Sequence, residues 1–526
     1  MSGAAALIYE VVWTRKLSTI MGSSTYALST MLAAFMLGLS LGGLIGGLLV
    51  PRLKRHLRAF AICEIAIGLT ALVTIPLIEA AAPLFIRVYF LFHDSFQAFM
   101  AAQFGVIFVI ILAPTTLMGI TFPLVIRHFA EGRSETARRA GFLYAFNTFG
   151  AVIGSTAAGF VLIPRLGASD ATLMAALLNI AGALVILVLV EKGPRRFALI
   201  PILLITAAAL RLLGTPFTPF VSSYSAQRFG SYAAVSEIRE SIRRAGPENF
   251  IVFHYEGVES DVTLMREDPS KEWILVNNGK YEGGANSAGF LLLAELPYFS
   301  RGSGGPAPRV LNIGLGSGVT LSRLAALPVQ RIESVELSAG VLEANRRHVS
   351  PDLFADPRIE HVQADGRSYL RLHPAEHYDI IVVSPSWAVE LASAALLTDE
   401  FFSLASQRLA PGGTIAIWLD LFYIPDEDVD IVLRTFRRSF PYATAWTTED
   451  AEMILIGKAV PFTLSEDEIA ERVVANAPDL AGSFRVARPR AELARLAAGP
   501  IHTDDHPILE FRNARHIVTG LHPPGH

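Results

Sequence analysis

A chain of 526 residues is too long for one ordinary hydrophobic core, so at least two domains are expected. A net charge of −4, with no stripe of interleaved Lys/Arg and aromatic residues, argues against a nucleic-acid-binding surface. The single cysteine, Cys63, excludes a disulfide framework and a cysteine-based zinc site.

The hydrophobic share of 52% is concentrated in the N-terminal part. Apolar runs at 4–21, 26–50, 60–82, 104–126, 140–163, 172–190 and 197–213 approach the roughly 20 residues that cross a bilayer. A cleavable signal is not expected, because the first run starts at once with no basic region before it. Gly38, Gly42 and Gly46 share one helix face, as do Gly43 and Gly47, and Gly150, Gly154 and Gly159 add another. Such spacing lets helix backbones approach closely in lipid, so packing is their expected role. Basic loops carrying Arg52, Lys54, Arg55 and Arg58, then Arg127, Arg133, Arg138 and Arg139, then Lys192, Arg195 and Arg196, set the cytoplasmic face. If 197–213 spans, the rest of the chain lies outside the cytoplasm; if it lies in the interface, the rest is cytoplasmic. Both topologies stay open. Glu10, Arg15, Glu64 and Asn147 fall in or beside these runs, where ionisable groups are costly. A Glu10–Arg15 or Glu64–Arg15 pair would offset that cost, and a polar pocket within the bilayer is the alternative.

A polar, turn-rich linker follows, with a short helix near 235–245. Strands at 250–255, 261–265 and 273–276, closed by the turn Asn277-Asn278-Gly279, form a small β unit, and 290–299 reads as a helix. Strands then alternate with helices, at 309–313, 332–336, 359–363, 379–383 and 413–418 against 339–348, 400–409 and 428–440. That order predicts a doubly wound, Rossmann-like parallel sheet with ligands at the carboxyl ends of its strands. A hairpin at 443–447 and 452–457 and a helical tail at 464–498 complete it.

The sharpest motif is Val-Leu-Asn-Ile-Gly-Leu-Gly-Ser-Gly at 310–318, in which Gly314, Gly316 and Gly318 end an apolar strand before a helix. Glycines there let backbone approach a ligand at a helix N-terminus, and Glu336, ending the next strand, stands where a ribose hydroxyl is held. Asp365 ends the third strand at the same edge, with turn capping as its alternative role.

Tyr9-Glu10-Val11-Val12-Trp13-Thr14-Arg15, Tyr144 to Ala151, the glycine turn, Asp365-Gly366, Leu397 to Phe402 and the Thr503–Phe511 ending together carry a resemblance. The chain resembles bacterial membrane proteins in which a transmembrane bundle is fused to a spermidine-synthase-like domain. That resemblance implies an α-helical transmembrane bundle (1–213), a linker and small β domain (214–300), a class I methyltransferase-like nucleoside-binding domain (301–460) and a helical C-terminal tail (461–526). It implies aminopropyl transfer from decarboxylated S-adenosylmethionine to an amine, with Gly314, Gly316, Gly318, Glu336, Asp365, Gly366 and Ser384 around the donor. Expected partners are a small-molecule amine, the bilayer of a bacterial inner membrane and a second copy of the chain, with no nucleic acid and no metal. Spermidine synthases place their basic aspartate after the fourth strand, in an Asp-Ser-Ser-Asp-Pro run. Here Ser384-Pro385-Ser386-Trp387-Ala388 contains no acid, so a different base is expected. Asp420, with Tyr423 beside it, is favoured on position; Glu282, Glu390, Asp504 and Asp505 are the alternatives, and Trp387 is a candidate pocket wall. An S-adenosylmethionine-dependent methyltransferase and a non-catalytic nucleoside-binding sensor or transporter are the competing readings.

Overall fold

The computed structural model describes residues 1–22, 24–130, 136–190, 251–266, 273–282, 287–302, 305–386, 390–421 and 424–519. The chain divides into two compact units, Met1–Pro247 and Glu248–His526.

The first unit is helical: α1 (Ser2–Met21), α2 (Thr25–Leu49), α3 (His56–Phe92), α4 (Phe96–Ala130), α5 (Thr136–Ala157) and α6 (Ile163–Val190). By length and apolar composition, 4 described helical stretches can cross a membrane: Thr25–Arg52, His56–Phe92, Phe96–Phe129 and Ala137–Val190. The last runs α5 into α6 through a π-helical turn at Ala158–Leu162, and Gly167, at φ 81°, breaks it near the gap expected between two spans. The expected run at 4–21 does form a helix, but with Glu10, Arg15 and Lys16 in it α1 is not among those stretches. Instead α1 is buried by its neighbours, with Ala5, Tyr9, Val12 and Trp13 fully enclosed. The run at 197–213 and the helix near 235–245 lie outside the described residues.

Glycine spacing works as expected at three positions. A side chain at Gly38 would strike Thr115, one at Gly42 the Thr116 carbonyl, and one at Gly46 the Pro123 ring, so α2 lies directly against α4. Gly154 meets Ala4 in the same way, whereas Gly43, Gly47 and Gly159 face open space. Glu64 accepts hydrogen bonds from Ser2 Oγ (2.7 Å) and Asn179 Nδ2 (2.5 Å).

The second unit opens with an antiparallel four-stranded sheet, β1 (Ile251–Glu256), β2 (Asp261–Met265), β3 (Ile274–Asn277) and β4 (Lys280–Tyr281), and then helix α7 (Ala288–Phe299). The main sheet holds β5 (Arg309–Ile313), β6 (Arg331–Glu336), β7 (Ile359–Gln363), β8 (Tyr378–Val383), β9 (Leu409–Asp420), β10 (Tyr442–Thr448), β11 (Glu452–Lys458) and β12 (Phe484–Arg488). Its order is β12-β10-β11-β9-β8-β5-β6-β7. The strands from β5 to β9 are parallel and reverse direction of travel at β5/β8, while β10, β11 and β12 run antiparallel at the far edge. This is a Rossmann-like doubly wound sheet whose switch point lies where a ligand crevice belongs. β8 is buried because apolar layers cover both faces: Ile380 and Val382 face one core, Ile381 and Val383 the other.

The tail departs from expectation. Glu466–Asn476 is a helix with a capping box at Ser465 and Glu468, but Phe484–Arg488 is an edge strand on β10. Pro478 and Pro489 bracket that segment and end helical continuation, and Phe484 packs on Trp446 at 5.9 Å.

Candidate functional site

β5 delivers the glycine turn to the switch point. Gly314 has φ +90°, and a Cβ there would lie 2.6 Å from the Ser384 carbonyl oxygen. The turn is therefore both conformationally and sterically reserved for glycine. Gly318, also left-handed at φ +78°, caps helix α8 (Val319–Ala326). Ile313 O accepts from Ser384 N, and Val335 O from Gly314 N, each at 2.9 Å. The ends of β5, β6 and β8 are thereby locked together around one opening.

That opening is a cleft lined by Gly314, Gly316, Glu336, Asp365, Gly366 and Ser384. Asn278, Glu282, Ser386, Glu390 and Trp418 line it as well. Glu336 is 8% exposed; its Oε2 accepts from Leu315 N at 2.7 Å and its Oε1 from Ser338 N at 2.8 Å. Burial pushes its carboxyl above the usual range, and those N–H donors oppose the rise. The Gly316 N–H acts on the same carboxylate, so of its roughly four lone-pair sites about one remains for a hydroxyl. Asp365 Oδ1 accepts from Ser368 N at 2.7 Å, so it caps the helix Gly366–Leu372 while also lining the cleft.

At the cleft wall, β4 starts at Lys280 and is followed by Glu282, two residues apart and hence on one face, and of the two Glu282 lines the cleft. The Lys280 ammonium is buried, 3.7 Å from Glu282 Oε2, 3.3 Å from Ser386 Oγ and 5.7 Å from the Trp418 ring centre. Ser386 Oγ in turn donates to Glu282 Oε1 at 2.5 Å. Burial, followed by the neighbouring Glu282 charge, pushes the Glu390 carboxyl up to about 7, against the pull of Lys280 and a hydrogen bond from Asn278. Asn277 Oδ1 is buried at the same wall with no partner among the described residues.

Trp418 is positioned by Glu452. That buried carboxylate accepts from Trp418 Nε1 (3.0 Å), Ser287 Oγ (2.7 Å), Gly289 N (3.0 Å) and Thr448 Oγ1 (3.3 Å). It thus ties β11, β9 and the start of α7 together, and Phe290 stacks beside Trp418 at 5.1 Å.

The structure brings Glu282 and Glu390 to the cleft but not the favoured Asp420. Asp420 ends β9 opposite Glu452 and is not among the residues lining the cleft. Asp504 forms a bidentate ion pair with Arg367, which holds its carboxyl below the usual range, and Asp505 is an exposed turn residue. Neither lines the cleft. Tyr423 and Trp387 lie outside the described residues. His502 uses both ring nitrogens, toward Ala394 O at 3.1 Å and Ile508 N at 3.0 Å, so no ligand position remains on it. Among the described residues one other group, His254, Glu256 and Asp261, gathers within 4.8 Å. Its imidazole Nδ1 lies 2.9 Å from Thr263 Oγ1 and 3.6 Å from Asp261, and its Nε2 lies 3.5 Å from Glu256.

Sequence reasoning missed Lys280, Ser386, Asn278 and Glu452. Lys280 had a signal, since it and Glu282 alternate after a tight turn and share a face; Glu452 had none, reading as an ordinary strand residue.

Residues 292–450 match the spermine/spermidine synthase domain family. The chain is 25% identical over 427 residues to polyamine aminopropyltransferase 2 of Streptomyces coelicolor, covering 79% of this chain and 71% of that protein. It is 30% identical over 207 residues to putrescine N-methyltransferase 2 of Nicotiana tabacum, covering 38% of this chain and 57% of that one. Among solved structures, spermidine synthase from Thermotoga maritima aligns with a TM-score of 0.34 and 20% identity, over 40% of this chain and 72% of that chain. The match to the spermine/spermidine synthase domain thus falls within the second unit, and the relatives that align over most of the chain are named polyamine aminopropyltransferases.

Proposed function

We propose that the protein is an aminopropyltransferase of multi-pass membrane topology, taking decarboxylated S-adenosylmethionine as donor and an amine as acceptor. The observation that carries this reading is that Glu282, Glu336 and Glu390 line one cleft with the glycine turn. Glu336 holds a ribose hydroxyl of the donor, Gly314 and Gly316 let the backbone approach the nucleoside, and Asp365 with Gly366 borders the base. Ser384 shapes the turn beside the sulfonium.

Glu390 replaces the missing acid of the Ser384–Ala388 stretch. A carboxyl titrating near neutrality accepts a proton from the acceptor ammonium, leaving a neutral amine. The amine nitrogen attacks the carbon bonded to the sulfonium. The carbon–sulfur bond breaks, its electron pair stays on sulfur as a neutral thioether nucleoside, and the product departs as a secondary ammonium. The cleft orients the two reactants and needs no group beyond its own side chains.

Methyl transfer from intact S-adenosylmethionine is the second reading, favoured by the similarity to a putrescine N-methyltransferase. It needs a cation for the donor's α-carboxylate. Lys280 is already engaged with Glu282 and Ser386, and the remaining cleft charge is acidic, which favours a donor lacking that carboxylate. Calorimetric titration with both donors tests the choice: tighter binding of the decarboxylated form supports aminopropyl transfer, and tighter binding of the intact form supports methyl transfer.

A further inference from the structure

The helical unit holds a cavity of about 760 Å³, within the roughly 300–1,000 Å³ typical of small-molecule sites. Its walls are mainly apolar, with Leu7, Phe35, Leu39, Met118 and Val185 among them. One carboxylate, Glu64, lines it while being only 2% exposed.

Glu64 is held by a built relay. The Tyr9 hydroxyl donates to Asn179 Oδ1 at 2.9 Å, Asn179 Nδ2 donates to one Glu64 oxygen, and Ser2 Oγ donates to the other. These donors are neutral. They fix the carboxylate's direction, each oxygen keeps an acceptor position, and the charge that reaches Glu64 from the chain itself is the amino-terminal ammonium of Met1, on the same cavity wall. An acid inside a bundle able to cross a membrane is costly and calls for a function.

We propose that this cavity binds an alkyl chain ending in a primary ammonium, the chain along the apolar walls and the ammonium on Glu64. The charge of the head group and the hydrocarbon lining together select that chemistry over a neutral or acidic amphiphile. The inference rests on the bundle alone, not on the transfer chemistry of the other unit.

The test uses the full chain in phosphatidylcholine nanodiscs, titrated with dodecylamine and dodecanol and read by thermal unfolding and native mass spectrometry. Dodecylamine is expected to bind roughly tenfold or more tightly than dodecanol, and Glu64→Gln to abolish the difference. Gly43→Leu provides a second variant. Gly43 lines the cavity with nothing within 4 Å of an added Cβ, so the larger side chain enters empty space and is expected to block the amine. Equal affinity for amine and alcohol, or unchanged amine binding in both variants, overturns the proposal. Donor titration of the same variants should be unchanged, which separates this result from the fate of the transferase reading.

Discussion

Glu336 Oε2 accepts the Leu315 backbone N–H at 2.7 Å, tying the end of β6 to the glycine turn that follows β5. One carboxylate therefore shapes the turn and faces the place where a ribose would lie. Replacing it with alanine removes the hydroxyl contact to a charged acceptor, and donor affinity is expected to fall roughly tenfold or more. Titration calorimetry checks this, with Glu336→Gln, which keeps one acceptor oxygen, expected to fall between alanine and the native chain. Native affinity in Glu336→Ala would remove the residue from the donor site.

The base assignment has a pH signature. A carboxyl raised to about 7 is protonated and inactive as a base below that pH. Turnover should therefore rise as pH passes upward through about 7, and Glu390→Gln should lower turnover by roughly 100-fold and flatten that limb, with donor affinity intact. Asp420→Asn, away from the cleft, is expected to retain turnover. A profile unchanged in Glu390→Gln, or a collapse in Asp420→Asn, would return the role to Asp420.

In the proposed reaction Lys280 is expected to set acceptor preference. Its ammonium lies 3.7 Å from Glu282, which lines the cleft, and so already holds a cation position beside that carboxylate. A diamine bringing a second ammonium meets that charge, whereas a monoamine does not. Lys280→Met is expected to raise the ratio of kcat/KM for 1,4-diaminobutane over butylamine by roughly tenfold. An unchanged ratio would mean that Lys280 is only a structural partner of Glu282.

Gly314→Ala tests the turn. With φ at +90° and a Cβ 2.6 Å from the Ser384 carbonyl, alanine costs about 1–3 kcal/mol in backbone strain alone. A drop in the melting temperature of the second unit, with weaker donor binding, is expected; native stability and binding would show the turn to be more tolerant than its geometry indicates.

Much of this was legible because it is local. The strand–glycine–helix passage at Gly314–Gly318 and the acid ending β6 are set by residues close in sequence, and the alternation of elements implied the parallel sheet. Which of the candidate acids reach the cleft was not legible. Glu282 and Glu390 lie far apart in the chain and meet only because β3 and β4 fold toward the carboxyl end of β8. Asp420 shared the right sheet edge by position, but its place beside β11 follows from how the closing hairpin inserts next to β9. Strand β12 was hidden because five residues between prolines carry too little periodicity to outweigh a helix-rich neighbourhood.

Transfer of an aminopropyl group is read from the mass of the product. The purified full chain is incubated with a mixture of decarboxylated and intact S-adenosylmethionine and a set of amines. The expected product is an amine heavier by one aminopropyl group, formed with an equal amount of the thioether nucleoside and lost in Glu390→Gln. A methylated amine, or no new amine at all under conditions where the donor binds, would contradict it.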